Sequence, residues 1–62
     1  MDSRTVIKRL TRAGWQEIRR KGSHIQFKKP GRPNLVTVPH PKKDFPIGTL
    51  KRIERDSGVT LT

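Results

Sequence analysis

The chain contains no cysteine, which removes disulfides, thiolate metal sites and thiol nucleophiles together. Aromatic residues are nearly absent as well, at three in 62. Hydrophobic residues make up only 29%, and a chain this short buries only about 60% of the surface it exposes when unfolded. The core is therefore thin, with no room for a cofactor domain, a large substrate cavity or a second lobe. We expect one domain over residues 1–62. No apolar run approaches the ~20 residues of a membrane span, and the polar N-terminus has no signal-peptide core, so a cytoplasmic protein without a membrane partner is expected. Two histidines and five scattered carboxylates show no metal-ligand spacing such as HxxxH, and there is neither a phosphate-binding glycine loop nor a serine hydrolase motif. No metal and no cofactor are expected. Acidic residues are outnumbered fifteen to five, for a net charge of +10, far beyond what solubility asks for. Residues 1–30 carry nine bases and two acids, residues 31–62 six and three. The excess runs through the whole chain, and it calls for a polyanionic partner.

The pattern of what remains is α-β-β-β-α. Ser3 is a plausible N-cap, Val6, Ile7 and Leu10 share one face, and Gly14 stands where a C′ glycine ends a helix, which predicts a basic amphipathic helix over 3–13. Trp15 to Arg20 reads as a strand with Ile18 as its clearest inward residue, followed by a tight turn at Lys21-Gly22. Ser23 to Lys28 alternates, with Ile25 and Phe27 on one face and His24, Gln26 and Lys28 on the other. Residues 29–34 are dense in turn formers, and Leu35 to Val38 is a short β-branched third strand. Pro39 and Pro41 hold the segment around His40 extended. Asp44-Phe-Pro46 opens a second helix, Ile47, Leu50 and Ile53 mark its inner stripe, and Gly58 ends it. Residues 59–62 form a tail that either packs or frays. The simplest burial of these stripes is an α+β fold, a three-stranded antiparallel sheet with both helices on one face.

His24 and His40 are the side chains whose ordinary titration lies near neutral pH. By strand parity His24 is exposed on the face away from the core, where the plain alternative is an unremarkable polar surface residue. Lys21, Lys28 and Lys29 lie within five residues of it. RNA cleavage through the ribose 2′-hydroxyl needs proton transfer and stabilisation of phosphate charge, and a histidine beside lysines supplies both without metal or cofactor. Lys42 and Lys43, just before the second helix, suggest a further anion site at its N-terminus; the plain alternative is a solvated loop. His40, between two prolines, reads as positional. Trp15 is a core anchor more than a base-stacking platform.

The blocks Gly22-Ser23-His24, Gln26-Phe27-Lys28, Val36 to Asp44 and Pro46 to Thr49, with Gly14-Trp15 before them, resemble the HicA toxin family across essentially the whole chain. The resemblance implies a fold like the double-stranded RNA-binding domain and a ribosome-independent ribonuclease acting on messenger RNA. It also implies that the histidine of the Gly-Ser-His block, here His24, is the catalytic general acid or base. Many members carry a second histidine where this chain has Ile25, which leaves His24 as the sole candidate in the block. Lys21, Ser23, Lys28, Lys29, Lys42 and Lys43 are then the RNA- or phosphate-binding candidates. The implied protein partner is a HicB-like antitoxin, and a +10 surface favours an acidic one. The alternative is an RNA-binding module that never cuts, since fold does not determine function. An architectural DNA binder would need an apolar wedge that this chain lacks.

Overall fold

In the computed structural model, which describes all of residues 1–62, helix α1 runs Ser3–Arg12 and is capped by Asp2 rather than Ser3. The Asp2 carboxylate accepts the Thr5 hydroxyl at 2.6 Å and the Thr5 N–H at 3.0 Å. These two bonds hold its carboxyl below the usual range. Ser3 is buried one position inside the helix, because its hydroxyl is taken up by His40 and Lys42. Val6 and Leu10 are fully buried. The chain leaves α1 through Gly14 at φ +99°, a conformation open to glycine and costly for other residues. Trp15 N–H then returns to the Leu10 carbonyl and Gly14 N–H to that of Thr11, the paired bonds of a Schellman ending. That ending delivers Trp15 into the core, 1% exposed.

Three strands follow, β1 (Gln16–Lys21), β2 (His24–Lys28) and β3 (Val36–Pro39), antiparallel in the order β1-β2-β3. The first turn is Gly22-Ser23 and not Lys21-Gly22, since Lys21 pairs with His24. Gly22 at φ +58° takes the first central position of a II′ turn, the form that matches strand twist. Ile25 opposite Val38 and Phe27 opposite Val36 form the buried face. The helices meet the sheet chiefly through β3, so β1 lies beyond their cover and all six of its residues are exposed.

Ile18 is not the inward residue that its hydrophobicity predicts; it is 50% exposed. Glu17 opposes Phe27 and Arg19 opposes Gln26, so Ile18 is the extra residue of a β-bulge. The bulge changes the phase of everything after it. Glu17 and Arg20, which a regular strand would send to opposite faces, share the helix side and form an ion pair at 3.3 Å. Arg19 and Lys21 fall with Gln26 and His24 on the open side. Leu35, expected to begin the third strand, lies just outside it and is 43% exposed.

Helix α2 runs Ile47–Ser57 from an N-cap at Pro46. Leu50 and Ile53 face the core, but Ile47 is exposed and Phe45 is buried at that end instead. The stripe continues forward to the buried Ser57, whose hydroxyl donates to the Ile53 carbonyl. Gly58, left-handed at φ +72°, ends the helix as expected. The last carbonyls are well supplied: Asp56 O accepts Arg32 at 3.0 Å and Asn34 at 2.7 Å, and Ser57 O accepts the Trp15 indole N–H at 3.2 Å. The Arg32 guanidinium also stands 5.8 Å over the Trp15 ring, within cation–π range. The tail packs. Leu61 joins a core of eleven buried apolar side chains, and the Glu54 carboxylate accepts the backbone N–H groups of Leu61 and Thr62 at 2.6 and 2.8 Å. No helix is long and apolar enough to cross a membrane.

This packing sets two expectations for stability. Trp15→Ala removes the largest buried side chain together with a helix-end donor, and costs about 3–5 kcal/mol; urea denaturation should show a native baseline shortened or lost. The second concerns acid. The backbone N–H groups of Leu61 and Thr62 pull the Glu54 carboxyl from 4.5 down to about 2. A carboxyl with a lowered folded-state value stabilises the fold fully above its unfolded value, and that contribution fades as pH drops through the folded one. Glu54→Gln should therefore lower the melting temperature at pH 7 and flatten its fall between pH 4.5 and 2. A wild-type slope retained in the variant would show that the clasp does not stabilise the fold.

Candidate nucleic-acid interface

The face of the sheet turned away from the helices carries the candidate chemistry. His24 lies on it at the start of β2, exposed as parity predicts, paired with Lys21 on one side and Pro39 on the other. Directly opposed residues on one face stand about 5 Å apart, so the Lys21 ammonium and the imidazole can reach one phosphate together. Arg19, Gln26 and Thr37 form the next rung. Together with the Gly22-Ser23 turn these residues line a shallow concavity that includes His24. No protein group holds the His24 ring by a hydrogen bond, which leaves the imidazole open to a ligand.

The charge on this face is unopposed because each of the five carboxylates is engaged elsewhere. Asp2 caps α1, Glu17 pairs with Arg20 across the helix side, and Asp44 holds the amino terminus at 2.9 Å. That bond and the adjacent ammonium charge keep the Asp44 carboxyl below its ordinary range. Glu54 clasps the tail, and Asp56 sits between Arg52 and Arg55. No three histidine or carboxylate side chains converge into a set able to hold a metal ion.

The other candidates from the sequence separate into distinct places. Ser23 stays in the concavity, its carbonyl accepting the His40 N–H at 2.7 Å. Lys28 shares the open face but stands four residues along β2 from His24, about 13 Å at the rise of a strand. Lys29 lies at that far end too, its stem against Gly14. Lys42 and Lys43 do not sit at the start of α2, which begins only at Ile47. They line a second concavity beside the start of α1, with Asp2, Ser3, Arg4, His40 and Pro41. The Lys42 N–H donates to the Ser3 hydroxyl at 2.9 Å, and Ser3 N–H donates to the Lys42 carbonyl at 2.8 Å. Ser3 Oγ stands 2.7 Å from His40 Nδ1. His40 thus braces the loop on the helix side, on the opposite face from His24, in keeping with a positional role.

Sequence reasoning missed Arg19. Its place beside Gln26 depends on the bulge, and nothing in Glu17-Ile18-Arg19-Arg20 marks which residue is the extra one. Thr37 was legible only as a strand residue, because its proximity to the site comes from the β2–β3 register.

The family model described as HicA toxin of bacterial toxin–antitoxin matches residues 3–59. Among solved structures, a chain of a "HicA3 and HicB3 toxin-antitoxin complex" is similar at 38% identity and a TM-score of 0.87, covering 100% of both chains. No curated protein sequence matches. With an α-β-β-β-α fold, a one-sided core and a family match over nearly its full length, the chain belongs to the HicA toxin family of toxin–antitoxin systems.

Proposed function

We propose that this toxin is an endoribonuclease that cleaves messenger RNA without a metal ion, with His24 as its general acid/base. The observation that carries the reading is an exposed imidazole on a cationic sheet face from which every carboxylate has been withdrawn. In the reaction the ribose 2′-oxygen loses its proton and bonds to the adjacent phosphorus. The bond from phosphorus to the 5′-oxygen breaks, and that oxygen takes up a proton. Products are a 2′,3′-cyclic phosphate and a 5′-hydroxyl. His24 is the one imidazole on the face, so the proton traffic runs through it. Lys21 and Arg19 stabilise charge on the phosphate oxygens, and Gln26 and Ser23 add uncharged donors. Lys28 at the far end of the face, Lys29 with its stem against Gly14, and Lys42 and Lys43 in the concavity beside α1 are outer phosphate contacts.

A double-stranded RNA reader that does not cut is supported less well. Such a module uses lysines at the start of the second helix, and here the Lys42 backbone is tied to α1 through Ser3, with Lys43 lining the same concavity. The protein partner is a HicB-type antitoxin, in line with the solved complex of a relative. Covering the concavity around His24 is the direct way for it to block RNA and imidazole at once, and a standard interface of about 800 Å² per partner is ample for that. A messenger-RNA substrate places the pair in the cytoplasm, with residues 1–62 acting as one unit.

His24→Ala should lower cleavage by about 10²- to 10⁴-fold while leaving the melting temperature and RNA affinity near wild type, because the side chain is exposed. Wild-type cleavage should persist in EDTA and leave 2′,3′-cyclic phosphate ends. Full activity in the variant, or loss in EDTA, would overturn the mechanism. Log affinity for RNA should fall linearly with log salt, and Arg19→Ala and Lys21→Ala should each flatten that slope by about one unit. A slope that Arg19→Ala leaves unchanged would remove Arg19 from the RNA path.

A further inference from the structure

The open sheet face has two ends of different chemistry. His24, Lys21, Arg19 and Gln26 occupy one. At the other, Ile18 lines a hollow with Gln16, Lys28 and Pro30, and is half exposed. Leu35 directly precedes Val36, whose partner across the β2–β3 ladder is Phe27, so it stands at the same end of the sheet as Lys28, and it is 43% exposed. Ile18, in the bulge of β1, and Leu35, just before β3, are thus both exposed at the Lys28 end of the sheet. They are two of the three large apolar side chains the molecule leaves exposed.

We propose that the apolar pair Ile18 and Leu35 at this end is the anchor site for the acidic antitoxin and is not used by RNA, whose contact here is confined to the Lys28 ammonium, so that one face tells its protein inhibitor from its nucleic-acid substrate. The inference rests on the toxin reading and deepens it. Three observations favour a protein occupant. All three aromatic residues are buried, at 1, 1 and 5% exposure, so the face offers bases no stacking platform. Branched aliphatic side chains give a polyanionic backbone nothing to bind, whereas an apolar centre beside charged residues is the usual anatomy of a protein interface. Lys28 and Arg19 border the patch with no carboxylate facing them, which selects an acidic partner. RNA then contacts only the charged groups of the face, and the antitoxin spans these and the apolar pair.

The test uses a purified HicB-type antitoxin as probe, with the chain of residues 1–62. The pair Ile18→Ser and Leu35→Ser, both at exposed positions, should weaken antitoxin binding by roughly 30-fold or more, as truncated anchors do. RNA affinity, its salt slope and the cleavage rate should stay at wild-type values. Ile18→Val with Leu35→Met should restore binding, which a role in folding alone would not separate from an unchanged melting temperature. Arg19→Ala should weaken both ligands. Unchanged antitoxin affinity in the serine pair overturns the proposal, and a loss of RNA binding that matches the loss of antitoxin binding assigns the patch to RNA instead. If the wild-type toxin does not bind the antitoxin at all, the reading beneath the proposal fails, a result distinguishable from either.

Discussion

Eleven buried side chains, with Met1, Ile7, Ala13 and Val59 packed partly buried against them, are the apolar material this fold commits to its core, and they cover one face of a three-stranded sheet. Both helices contribute to that single layer, Val6 and Leu10 from α1 and Leu50 and Ile53 from α2. The second face of the sheet stays bare because there is nothing left to cover it with. A strand that packs on one side and meets solvent on the other must alternate in character, and β2 does, with Ile25 and Phe27 inward and His24 and Gln26 outward. The location of the candidate chemistry is therefore a consequence of scarcity in the core. Where the helices are not, the imidazole is.

Scarcity of a second kind shapes the electrostatics. Five acidic residues serve a chain with fifteen bases. Each has structural work of its own, in a cap, a strand-edge pair, a terminus, a tail clasp or a helix-end pair. Such exposed pairs contribute little to stability one by one. Their greater effect is on the field, since a carboxylate bound on the helix side cannot neutralise an arginine on the open side. The fold thus sorts its few anions to one hemisphere and leaves the other to attract polyanions over several ångströms.

Much of this was legible in the sequence because it is local. The Schellman ending at Gly14, the left-handed Gly58 and the alternation of β2 are each set by neighbours within a few residues, and the family resemblance likewise rested on short contiguous blocks. What escaped was set by pairing across the chain. Ile18 reads as a core residue from its own hydrophobicity, and only the partner strand reveals that Gln26 is met by Arg19 and leaves Ile18 over. Ser3 looks like a cap from its position, yet Asp2 takes that role because His40 and Lys42, far along the chain, claim the Ser3 hydroxyl. Lys42 and Lys43 were misplaced for the same reason: adjacency in sequence pointed to α2, while hydrogen bonds between Lys42 and Ser3 tie them to α1. His24 was recoverable because its exposure follows from strand parity alone.

The bulge at Ile18 also governs how another molecule is able to approach. An uninterrupted outer strand offers a row of free N–H and C=O groups on which a second strand can add, and this row is the usual seed of edge-to-edge aggregation. In β1 the row is broken midway by the extra residue and flanked by Arg19, Arg20 and Lys21. A growing ladder would lose register at that point and would bring its backbone against three like charges. Strand addition along β1 is thereby disfavoured. A partner that meets the molecule from the β1 side is thus turned from the edge toward the open face.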